Sequence, residues 1–102
     1  MLEDYAETIS SGPVTLYSYR GEVTKDGQLV HLTAHEFKTL RFLMHRRGRI
    51  VSREELREVI YTLDFGRDSN TIDVFIHRIR RKLGSDMITT KLGLGFIHDK
   101  EG

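Results

Sequence analysis

The residues with the most chemistry to offer are basic and closely spaced. From Arg78 to Lys82, four of five residues are positive: Arg78, Arg80, Arg81 and Lys82. A guanidinium is a planar fork of donors that matches phosphate oxygens and guanine edges, so this run suits a polyanion. It suits equally the solvated face of a surface helix. His31 and His35 bracket Thr33, with Glu36 next, but a helix begins between them, so the two histidines share no helical face and no metal is expected. Gly93-x-Gly95 has no helix after it to hold a phosphate and reads as a turn. Glu54 and Glu55 suit the start of a helix. Ser52, Ser69 and Ser85 have no base at helical or hairpin spacing. With no cysteine either, neither an enzyme nor a cofactor is expected. A small enzyme built from groups distant in sequence is the remote alternative.

These residues need a scaffold, and 102 residues suffice for one domain, 1–102. The formal net charge is only +1, but it is unevenly distributed. Residues 1–37 carry −4 and residues 38–102 carry +5. A near-neutral total therefore conceals a local basic patch. No apolar run exceeds three residues, so no membrane span is expected, and nothing at the start reads as a signal peptide. A cytoplasmic location fits.

The hydrophobic pattern predicts an α+β fold. Short strands near Tyr5–Ile9, Val14–Tyr17, Glu22–Lys25 and Gln28–Leu32 form an antiparallel sheet over 5–32. Ser11-Gly12-Pro13 is a loop, and Asp26-Gly27 is a hairpin turn that tolerates positive φ. Three helices fill 33–84. Thr33 and Glu36 form a capping box for the first, which Gly48 ends, and Ser52 and Glu55 form one for the second. Ile50-Val51 links the two. In the third, starting near Ser69, Ile76, Ile79 and Leu83 fall about 40°, −20° and 20° from Ile72, a single aliphatic stripe. Thr71, Val74, Arg78 and Arg81 form a second face, flanked by Phe75 and Lys82. Residues 86–99 make a terminal hairpin around Leu92-Gly-Leu-Gly95. A helix-turn-helix followed by a hairpin is the winged-helix arrangement, which favours duplex DNA over the solvated-surface reading.

The motifs LTAHEFKTLRFLMHRRGRIVSREEL, DSNTIDVFIHRIRRKLG and TTKLGLGF, in this order over residues 32–97, resemble the OmpR/PhoB type of response-regulator effector domain. The resemblance implies a winged helix-turn-helix that binds double-stranded DNA in bacterial transcription control, monomeric alone and dimeric on tandem half-sites. It implies a base contact for Arg78, groove-facing positions for Thr71, Val74 and Phe75, and phosphate or base contacts for Asn70, Arg80 and Arg81. Tyr61 stands where an aromatic residue reaches the DNA backbone, and Thr90 and Lys91 are the wing candidates. The loop Thr62, Leu63, Asp64, Phe65, Gly66, Arg67 and Asp68 matches the segment that activators of the family use on RNA polymerase.

Several positions depart from the family pattern. Lys91-Leu92-Gly93 replaces the frequent Val-Arg-Gly, so the usual minor-groove arginine is missing. Phe75 replaces a frequent histidine and is free to pack on a thymine methyl or on protein. Ala34 replaces a proline. The receiver domain that usually precedes this unit is not in the chain, which implies an excised effector domain or a stand-alone relative. Leu63, Phe65, Val74, Phe75 and the missing arginine also fit a protein-interaction module. RNA binding would need aromatic platforms on a strand face, which the pattern does not supply.

Overall fold

The computed structural model describes residues 8–60 and 70–99. Strands β1 (Thr8–Ser11), β2 (Val14–Tyr17), β3 (Glu22–Lys25) and β4 (Gln28–Val30) form an antiparallel sheet in the order β1-β2-β3-β4. Alternation sets its inner face: Val14, Leu16 and Val23 are buried. The β3–β4 turn is Asp26-Gly27, with φ of 54° and 81°, the left-handed pair that a two-residue hairpin needs. Of the expected Tyr5–Ile9 strand, the part before Thr8 lies outside the described residues, and β1 runs on past Ile9 to Ser11. Ser11, expected in a loop, pairs with Val14 and is fully buried. The fourth strand stops at Val30, short of Leu32.

Helix α1 (Ala34–His45) begins at the expected capping box: Glu36 N–H donates to Thr33 Oγ1 at 3.2 Å, and Thr33 N–H donates to Glu36 Oε1 at 3.1 Å. It ends at His45, before Gly48. The Gly48 N–H leaves the helix to donate to the His98 carbonyl at 2.9 Å. Helix α2 (Arg53–Ile60) has its own box, Glu55 N–H to Ser52 Oγ at 3.1 Å and Ser52 N–H to Glu55 Oε1 at 3.2 Å. Helix α3 spans Asn70–Leu83. Strands β5 (Thr89–Lys91) and β6 (Gly95–Ile97) form the hairpin within the expected 86–99.

The four-stranded sheet, the three helices and β6 share one core. Leu40 and Leu43 of α1, Leu56 of α2 and the stripe Ile72, Ile76, Ile79 and Leu83 of α3 are buried with Val14, Leu16, Met87, Ile88 and Phe96. Each such side chain stabilises the fold by roughly 1.5–3 kcal/mol relative to exposure. Phe42, off the main face of α1, packs against this core and carries the Arg46 guanidinium 3.7 Å above its ring. The expected sheet, three helices and hairpin are therefore all present. Val51, expected only as a linker, bridges Phe96 through two 2.8 Å backbone hydrogen bonds and ties the hairpin to the start of α2.

Candidate nucleic-acid interface

Helix α3 presents different chemistry on each side, as its angular positions dictate. The stripe from Ile72 to Leu83 is buried. Opposite it, Val74 is 39% exposed, and Arg78 and Arg81 are exposed beside it. These three expected face residues come together on one surface. The side chains of Asn70 and Thr71, together with Tyr61 and the loop Thr62 to Asp68, lie outside the described residues.

The two flanks of the stripe bind the helix to its neighbours. Phe75, about 60° from Ile72, does not line the exposed face. It is only 8% exposed, and its ring stacks on His35 of α1 at 5.3 Å between centroids. Of the two options for this ring, packing on protein is the one realised. Arg80, about 80° to the other side, is half-buried. Its Nε donates to the Ile88 carbonyl and its Nη2 to Thr90 Oγ1, both at 2.8 Å. Arg80 is thus a clamp that holds β5 against α3, and its guanidinium is largely committed. On the same flank Asp73 pairs with Arg53 of α2 at 2.7 Å.

The hairpin offers Thr90 and Lys91 to solvent beside that clamp. Its tip is apolar: Leu92 is 90% and Leu94 61% exposed. The base of the hairpin is anchored by His98, which is fully buried between Ser11 and Met87. Its Nδ1 donates to the Met87 carbonyl at 2.7 Å, and its Nε2 lies 3.0 Å from Ser11 Oγ.

One functional group went unrecognised in the sequence. Glu36 was visible only as a cap, yet it is fully buried and its Oε1 also accepts from Lys82 Nζ at 2.8 Å. Lys82 donates in addition to the His31 carbonyl at 3.0 Å. Burial pushes the Glu36 carboxyl up. The hydrogen bonds from Lys82 and Thr33, with the attraction of Lys82 and Arg78, outweigh it and hold the group below its ordinary value of 4.5. Thr33, Glu36, Arg78, Arg81 and Lys82 line one open cavity of about 370 Å³ where α1 meets α3. Only the sequence separation of 46 residues hid the Glu36–Lys82 pair.

A four-stranded sheet, three helices and a clamped hairpin, with a basic face on the third helix, define a winged-helix domain. Residues 27–98 match the family described as "Transcriptional regulatory protein, C terminal", and the chain belongs to it. It is similar to the two-component response regulator PhoP of Pseudomonas aeruginosa, at 38% identity over 94 residues, covering 88% of this chain and 42% of that protein. It is also similar to the response regulator PmrA of the same organism, at 39% identity over 79 residues, covering 78% of this chain and 36% of that protein. The chain thus spans less than half the length of these curated relatives. Among solved structures, the DNA-binding domain of CpxR from E. coli aligns with a TM-score of 0.83 at 30% identity, covering 94% of this chain and 99% of that one. The Klebsiella pneumoniae RstA DNA-binding domain in complex with the RstA box aligns with a TM-score of 0.79 at 26% identity, covering 91% and 97%. Among the described residues, no helix is long and apolar enough to cross a membrane.

Proposed function

We propose that this chain binds double-stranded DNA sequence-specifically, as the output domain of a two-component response regulator or of a stand-alone relative in the bacterial cytoplasm. The observation that carries this reading is the exposed face of α3, with Arg78, Arg81 and Val74 displayed opposite a fully buried stripe. A helix so mounted fits the major groove, where an arginine reads guanine through two parallel hydrogen bonds. Arg78 takes that role, and Val74 supplies apolar contact. Arg81 and Lys91 contact phosphates. Asn70, Thr71 and Tyr61 keep the roles that family membership suggests, and so does the loop Thr62 to Asp68 toward RNA polymerase. Two copies occupy tandem half-sites about one helical turn apart. The DNA-binding function of CpxR and the RstA–RstA box complex support this assignment.

The test is a titration against cognate and random duplexes. Arg78→Ala is expected to cost roughly 1–3 kcal/mol at the cognate site and to relax specificity there. Arg81→Ala weakens both duplexes to a similar degree. Unchanged binding of both duplexes by Arg78→Ala overturns the base-reading role. A second reading, a protein-interaction module, is favoured by the exposed Leu92 and Leu94 at the hairpin tip. Retention on duplex DNA that falls steeply with salt separates the two, since phosphate contacts release counterions and apolar docking does not.

A further inference from the structure

Glu36 has one more acceptor than it uses. Its Oε1 takes hydrogen bonds from Thr33 N–H and Lys82 Nζ. Its Oε2 is buried and has no hydrogen-bond partner among the described residues. An ionised oxygen left unmatched inside a protein is costly, so a donor within reach has strong reason to occupy it. Lys82 is already shared between Oε1 and the His31 carbonyl. The other cations on the cavity are Arg78 and Arg81. Arg78 stands one helical turn before Lys82 and so on the same side of α3. Its charge helps to keep Glu36 ionised.

We infer that Glu36 is a positioning residue for Arg78: its free Oε2 accepts one guanidinium N–H and holds the fork in place while the remaining donors face the base edge. This rests on the reading of α3 as the base-reading helix. The physical gain is preorganisation. A long exposed arginine loses rotamer freedom when it docks, and a buried carboxylate that fixes it beforehand reduces that loss. Arginine is required for this, because a planar fork can serve two partners at once and a lysine ammonium cannot hold the same geometry. The arrangement also links the start of α1 to specificity, although α1 itself contributes no base contact.

The experiment begins on the free domain with arginine-side-chain NMR. The Arg78 guanidinium is expected to show slowed rotation about its Nε–Cζ bond and a protected Nε–H, both lost in Glu36→Gln. A freely rotating Arg78 in the wild type overturns the proposal, whatever happens with DNA. Should Glu36→Gln unfold, Arg78→Lys carries the same test with the core intact. The Glu36 carboxyl carbon shift is expected to move in Arg78→Lys, and an unmoved shift overturns the pairing. On DNA, Glu36→Gln is expected to reduce the preference for cognate over random duplex about tenfold while random-duplex affinity holds, which a merely structural role would not produce. Combining it with Arg78→Ala should add nothing, and fully additive losses overturn the coupling. If neither variant alters DNA binding while the free-domain NMR shows the pairing, the DNA reading fails and the Glu36–Arg78 pair stands.

Discussion

At the scale of single residues, Glu36 shows how one side chain serves several elements. It caps α1 through Thr33 and pins α3 through Lys82, from a position with no solvent exposure. The capping role was legible because Thr33 and Glu36 stand three apart, and Ser52 and Glu55 repeat the same signal. The Lys82 partner was not legible, since pattern reasoning reaches only a few turns along one helix. The pairing has a sign in pH. Glu36 has a folded-state value below its ordinary 4.5, so the unfolded chain takes up the proton first as pH falls. Its contribution to stability is complete above about pH 4.5 and is lost as pH drops through the lower folded value. Urea melts of wild type and Glu36→Gln should therefore differ most near neutrality and converge in acid. A stability gap that stays constant across this range would show that the carboxylate charge contributes nothing.

At the scale of elements, α3 was the most legible part of the chain. The angles put Phe75 and Arg80 at the two edges of the aliphatic stripe, and the structure uses both as attachments: Phe75 to His35 and Arg80 to Ile88 and Thr90. The hairpin was visible from its glycines, but not its fixing point. At Gly95, φ is +143°, and an added Cβ would run into the Val51 carbonyl oxygen, with Ser52 Cα at 2.8 Å. This backbone-to-backbone contact comes from the Val51–Phe96 bridge, a long-range pairing that no local motif encodes. Gly95→Ala is expected to destabilise the domain by about 2–4 kcal/mol through strain and overpacking together. Gly93→Ala has a positive φ of 76° but open space around it. It is expected to cost only about 1 kcal/mol. Chemical denaturation of the two variants compares them directly, and equal losses would mean that the Val51 contact is not what limits position 95.

At the scale of the whole molecule, a net charge of +1 argues against a polyanion partner only if charge acts as a sum. The domain measures 32 × 28 × 23 Å. Dissolved ions screen exposed charges from one another beyond about 8 Å at physiological ionic strength. The sum over the chain therefore does not describe the α3 face, where Arg78 and Arg81 are exposed and Lys82 pairs with Glu36. DNA affinity should follow the α3 face and not the total. Each phosphate neutralised contributes about −0.9 to the slope of log K against log salt. Arg81→Ala, on an exposed position of that face, is expected to flatten the slope by about one contact. Adding Asp26→Asn in the exposed β3–β4 turn restores the net charge to its original value, and Asn tolerates the positive φ of 54° there. The double variant should still bind like Arg81→Ala alone. Recovery of wild-type affinity by the double variant would show that total charge governs binding and that α3 has no privileged face.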